Sequence, residues 1–201
     1  MSRAVRKGAR VLLNACALLP ALGPSLWARL GLLLGSEQPY SSAAFAVSIV
    51  PGLPGVLIRR AFYCTTLASC HWDFTVHFGS VVTHPTARIG RNVWIGAYSL
   101  VGRCRIEDDV IIGSRVSVLS GRRPHRFEDP NTPIQDQHGE FAEIRLGRDS
   151  WLGEGSIVMA DLGRGSVVGA GAVVVKPGED FAVLVGNPAR QAGTRGQTDP
   201  S

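Results

Sequence analysis

A six-residue beat constrains this chain more than any other feature. Ile89-Gly90, Ile95-Gly96 and Val101-Gly102 repeat an aliphatic-Gly pair every six residues; the beat slips by one at Ile106-Glu107, recovers at Ile112-Gly113 and reaches Val118. A second run follows a break: Leu146-Gly147, Leu152-Gly153, Val158, Leu162-Gly163, Val168-Gly169 and Val174. Four residues after most of these aliphatics stands a small or β-branched residue: Val93, Ser99, Val110, Val116, Ser150, Ser156, Ser166 and Ala172. Neither a helix nor an alternating strand has this period. Stacked coils that share one core do.

Each hexapeptide then supplies one short strand, and three make a triangular coil of about 18 residues. The fold expected is all-β: a left-handed parallel β-helix with a short N-terminal helical extension. The aliphatics point inward, and the glycine after each is expected to serve a corner needing permissive backbone angles. The slips at Ile106 and Leu162 should be tightened corners.

At 201 residues the chain fits one domain with a modest appendage, and its net charge of +5 is not spread along it. Arg3, Arg6, Lys7, Arg10 and Arg29 precede the first acid, Glu37, and from Glu37 onward 16 basic and 16 acidic residues cancel. That asymmetry favours a tail or membrane-surface contact over a nucleic-acid-binding face. Residues 1–35 are basic, then apolar, and Asn14, Pro20, Gly23, Pro24 and Arg29 break the run. Two short helices parted at Pro20–Pro24 are expected, packed on the β body or lying at a membrane interface. Cys16, Cys64, Cys70 and Cys104 show no metal or CxxC spacing, so no metal is expected and they read as small buried groups in a reducing compartment.

Ser, Pro and Gly over 36–58 predict loops, and Leu57 to Leu67 a helix with Arg59 and Arg60 exposed. Phe74, Val76 and Phe78 alternate as the first strands do. The division expected is an apolar extension over 1–70, the β-helix over 71–190 and a disordered tail over 191–201. Within the β-helix, 119–145 interrupts the beat as an insertion at one corner. It holds His125, His138 and much of the charge, and loops of this length inside compact domains are often functional.

Gly169-Ala170-Gly171-Ala172-Val173-Val174-Val175-Lys176, followed by Val185-Gly186-Asn187-Pro188-Ala189-Arg190, resembles the closing signature of the hexapeptide-repeat O-acetyltransferases that act on sugars and polysaccharides. The resemblance runs from about His84 to Arg190. It implies an acetyl-CoA-dependent O-acetyltransferase acting on a sugar hydroxyl, a homotrimer with active sites between subunits, and acetyl-CoA in the groove between neighbours. Lys176 and Arg190 supply charge for coenzyme phosphates. Gly153 and Ala170 let the pantetheine arm run close to the backbone.

The family's general base is a loop histidine, which His125 matches best after Val118-Leu119-Ser120-Gly121; His138 and His84 are the other candidates. Glu128 or Asp129 could orient that imidazole. Near Gly96-Ala97 no residue matches the acceptor-binding asparagine of the maltose type. A serine acetyltransferase and a non-catalytic trimeric scaffold are the alternative readings. A cytoplasmic protein is expected, and the basic, apolar residues 1–35 suggest peripheral contact with the inner membrane.

Overall fold

In the computed structural model, which describes residues 3–121 and 123–196, short strands stack into three parallel columns. Along the first column Cys70, Ile89, Ile106, Leu146, Leu162 and Gly178 lie one above the next. The second holds Val76, Ile95, Ile112, Leu152, Val168 and Leu184. The third holds Val82, Val101, Val118, Val158 and Val174. Nearly all of these side chains are buried and form one continuous core. The architecture is the expected left-handed parallel β-helix.

Coil length shrinks along the solenoid, from 19 residues (Val76 to Ile95) to 17 (Ile95 to Ile112) and then 16 (Leu152 to Val168). All of the shortening falls at the corner between the third and first columns, where Val82 to Ile89, Val101 to Ile106 and Val158 to Leu162 take seven, five and four steps. The slips of the beat are therefore tightened corners. The insertion leaves from this same corner, between Val118 and Leu146.

The glycines after the aliphatics have a different task from the one expected. None of Gly90, Gly96, Gly102, Gly113, Gly147, Gly153, Gly163 and Gly169 has a positive φ. Most stand where a Cβ would meet the next coil: at Gly96 it would lie 2.5 Å from the Gly113 carbonyl carbon, and at Gly147 2.6 Å from that of Gly163. They permit stacking rather than turning. The turning falls three residues after the aliphatic, where Asn92, Tyr98, Asp109, Arg115 and Asp149 have φ of 54–66° and Gly155, Gly165 and Gly171 continue the series. Many non-glycine side chains thus sit in the left-handed region, held there by the stacked coils.

The N-terminal part departs further from expectation. Arg3–Leu33 is one helix, α1, running through Pro20 and Pro24 rather than two short ones. Residues 36–58 are not loops: Gln38–Ser48 forms α2, and Gly52–Thr66 forms α3. Their prolines fall where proline is tolerated, Pro39 in the first turn of α2 and Pro51 as the N-cap of α3.

Arg59 and Arg60 are buried, not exposed. Arg59 donates to the Val47, Ser48 and Val50 carbonyls at 3.2, 3.1 and 2.8 Å and to the Val76 carbonyl at 3.0 Å. It therefore satisfies the orphan carbonyls at the end of α2, whose last turn carries no basic residue. Burial lowers its pKa. Arg60 donates to the Phe74 carbonyl at 2.6 Å, and Tyr40 and Tyr63 bond the backbone of Val82, so the helices close the first coil.

At the other end the tail continues the structure. Arg190–Thr194 is a strand antiparallel to Ala182–Val185, so residues 191–196 are ordered. Residues 197–201 of the expected disordered tail lie outside the described residues. Cys104 is buried, Cys64 and Cys70 are half-buried and Cys16 is exposed; the Cys64 and Cys70 sulfurs lie 3.1 Å apart, and the contact with Cys64 pushes the Cys70 thiol up.

Candidate active site

The insertion is a β-hairpin rather than an irregular loop. Arg123–His125 pairs antiparallel with His138–Glu140, placing Arg123 opposite Glu140 and His125 opposite His138. Its tip is fixed by polar side chains: Gln137 donates to the Asp129 and Thr132 carbonyls, both at 2.8 Å. Asp129 accepts from the Thr132 hydroxyl at 2.6 Å and the Asn131 amide at 2.9 Å, which hold its carboxyl below the usual range. At the base, the Ala142 amide donates to the Ser120 carbonyl at 3.0 Å, and Arg126 pairs with Glu140 at 3.2 Å.

His125 is exposed, and its ring has no hydrogen-bond partner among the described residues. Asp129 is committed to the turn, and Glu128 accepts from the Phe127 amide at 3.1 Å, so neither is placed on the imidazole. A second histidine, His138, faces His125 across the ladder. His84, at the entry to the repeat, stands 3.5 Å from Glu37 and packs its ring on Phe141 of the insertion, tying hairpin to helices. His77 packs on Trp94, and burial lowers its pKa. The His71 ring accepts from the Asp73 amide at 3.2 Å.

The four residues expected to hold the coenzyme fall into two pairs. Lys176 and Arg190 line one cleft of about 270 Å³ with Glu179 and Gln191. Lys176 also borders a cleft of about 570 Å³ that reaches the hairpin base at Gly121, Glu140 and Ala142. A continuous surface thus joins the cationic end of the last coil to the insertion. Gly153 and Ala170 lie across the third column, at the corner before Val173–Val174, whereas Lys176 lies after it. There Gly153 is buried under the Ala170 amide, and Ala170 is exposed.

These arrangements fit a phosphate-bearing thioester donor: two exposed cations in one cleft, small residues along a neighbouring corner, and an unencumbered imidazole on the hairpin. Glu140 and Gln191 join these surfaces and were not singled out from sequence; neither sits in a repeat position. A further cleft, of about 940 Å³, lies elsewhere, over the outward side of the second column at Trp94 and Ile111 and reaching Phe181. It holds none of the predicted residues. Among the described residues no group of three or more His, Cys, Asp or Glu could hold a metal ion.

Residues 86–120 match the bacterial transferase hexapeptide family (six repeats), and residues 143–176 match the hexapeptide repeat of succinyl-transferase. The two matches bracket the hairpin and coincide with the stacked columns. The chain carries hexapeptide repeats of the bacterial-transferase type on both sides of the hairpin. The chain is 37% identical over 116 residues to a probable acetyltransferase of Mycobacterium tuberculosis; the match covers 57% of the chain but only 37% of that relative.

In fold it resembles a maltose O-acetyltransferase from Clostridium difficile 630 (TM-score 0.65, 19% identity, 84% of this chain and 90% of that one). It also resembles a galactoside acetyltransferase in complex with coenzyme A (TM-score 0.64, 18% identity, 77% of this chain and 78% of that one).

Proposed function

We propose that this protein is an acetyl-CoA-dependent O-acetyltransferase acting on a sugar hydroxyl in bacterial polysaccharide biosynthesis. The observation that supports the reading is the hairpin, which carries the exposed His125 and whose base borders a cleft also lined by Lys176. We further propose a cytoplasmic homotrimer with active sites between subunits, held peripherally at the inner membrane by residues 1–35, whose basic and apolar composition suits an anionic surface.

In this reading His125 acts as the general base. A neutral imidazole takes the proton of the acceptor hydroxyl as its oxygen attacks the thioester carbonyl. Backbone amides stabilise the oxyanion that forms. Collapse breaks the carbon–sulfur bond, and the imidazolium returns the proton to the departing thiolate, leaving an acetyl ester. Lys176 and Arg190 hold the donor's phosphates through charge-assisted hydrogen bonds, and Gly153 and Ala170 keep the arm's path narrow.

The test is His125→Ala, assayed by CoA release with sugar acceptors and, in parallel, with serine. Turnover should fall by about 10²–10⁴-fold, the usual contribution of a positioned base, while acetyl-CoA affinity stays near that of wild type. Full turnover in the variant sinks the assignment of His125. Turnover with serine alone replaces the sugar acceptor.

A further inference from the structure

The packing of α1 is inverted relative to a helix that covers a water-soluble core. Its inward stripe is small: Ala17, Ala21, Ser25 and Ala28 are buried against α3 and α2, and the Ser25 hydroxyl meets that of Thr65 at 2.8 Å. Its large aliphatics point away. Leu19, Leu22, Leu26 and Leu30 are 77, 54, 59 and 50% exposed, and Leu33 and Leu34 extend the face. Small residues at helix contacts and leucines outward is the pattern of helices packed in lipid, where burying leucine against protein gains little. On a helix in water the leucines would turn inward.

From this inversion we infer that the outward face of α1 docks onto an anionic lipid bilayer, lying in its interface and not crossing it. The helix could cross by length and composition, since Leu13–Leu33 is sufficiently apolar. However, α3, with its buried Arg59 and Arg60, packs alongside α1, and crossing would carry it into hydrocarbon. Charge selects the lipid: Arg3, Arg6, Lys7, Arg10 and Arg29 precede the first acid of the chain. Phe45 on α2, Ile49 just after it and Leu53 on α3 are exposed and enlarge the apolar surface of the same module. Because the helices close the first coil, this end of the solenoid faces the bilayer and the Lys176–Arg190 cleft at the last coil faces away. The inference deepens the peripheral-membrane part of the proposed function and rests on that part alone.

The full chain is sedimented with vesicles of phosphatidylglycerol and phosphatidylcholine, and separately with phosphatidylcholine alone. No donor or acceptor is present, so a failure of the acetyl-transfer reading leaves this result unaffected. Wild type should pellet with the anionic vesicles, and the triple variant Leu22→Glu, Leu26→Glu, Leu30→Glu at least about tenfold less, as expected when three buried aliphatics are replaced by repelled charges. Trp27, 56% exposed on the same helix, supplies a second readout. Its emission should shift to the blue with anionic vesicles, and the shift should vanish in Trp27→Phe; this decides the matter should the triple variant lose its helical signal. Wild type remaining in the supernatant overturns the inference, as does equal pelleting of the folded triple variant. It is also overturned if wild type ignores vesicles and the triple variant instead loses self-association, because a second copy of the chain then covers the face.

Discussion

Gly153 and Gly155 stand two positions apart and make opposite demands on a side chain. A Cβ on Gly153 would lie 2.6 Å from the Ala170 amide nitrogen and 2.8 Å from the Val168 carbonyl, both fixed backbone of the next coil. Gly155 has φ +66° and open space around its Cβ position, and Tyr98 and Arg115 already occupy the equivalent corners of earlier coils. Gly153→Ala should therefore destabilise by about 1–3 kcal/mol through forced separation of the coils. Gly155→Asn should cost less than about 1 kcal/mol, since asparagine tolerates the left-handed region. Urea unfolding of both variants checks this; equal midpoints sink it. Aliphatic-Gly pairs were legible in the sequence, but which glycine turns and which permits contact was not, because that depends on the coil stacked next to it. Arg59 was illegible for a related reason. An arginine in an amphipathic segment reads as solvated, and only the fold brings the carbonyl end of α2 to its guanidinium.

At the scale of the coil, carboxylates act as staples along one corner. Asp108 accepts from the Arg91 amide at 2.7 Å, Glu107 from the Arg148 amide at 2.9 Å, and Asp180 from the Arg164 amide at 2.7 Å, each joining one coil to a neighbour. Glu107 also takes a 2.8 Å bond from the Arg145 side chain, and this bond chiefly holds its carboxyl below the ordinary value of 4.5. The Arg91 amide likewise holds Asp108 below 3.8. A carboxylate with a depressed folded pKa contributes stability that is fully present above its unfolded pKa and is lost as pH falls through the folded one. The melting temperature should thus be flat near neutrality and fall below about pH 4.5. Glu107→Gln should lower it at pH 7 and make the acid decline shallower. An unchanged acid profile in the variant removes Glu107 from the account. Elements with strict periodicity, the columns and the tightened corners, could be read from sequence. The helix expected from Leu57 was also legible, as the later part of α3, but α2 and the first turn of α3 were not, because their prolines and glycines mark loops and first turns alike; the hairpin's pairing of His125 with His138 follows no repeat.

For the whole molecule, the unassigned apolar surface lies on the side of the solenoid. Trp94, Ile111 and Trp151 are consecutive outward rungs of the second column and are 48, 48 and 52% exposed, and the first two line the cleft of about 940 Å³. In the homotrimer proposed above, this row supplies a subunit contact of the kind aromatic residues dominate. A contact on the side of a solenoid leaves neighbouring axes roughly parallel, and cyclic symmetry then puts all three helical modules at one end. Three weak bilayer contacts on one plane would bind as a unit, so the proposed trimerisation and docking would reinforce each other. Trp94→Glu with Trp151→Glu should convert a particle of about three times 21.4 kDa into monomers, by light scattering. If the donor groove needs two subunits, CoA release should fall with it, by about 10²-fold or more, a loss comparable to misplacing reacting groups by an ångström. Vesicle binding should weaken too, although no residue of α1 has changed. A double variant that stays trimeric places the interface on another face, and one that becomes monomeric with full turnover shows each site to be complete within a single chain.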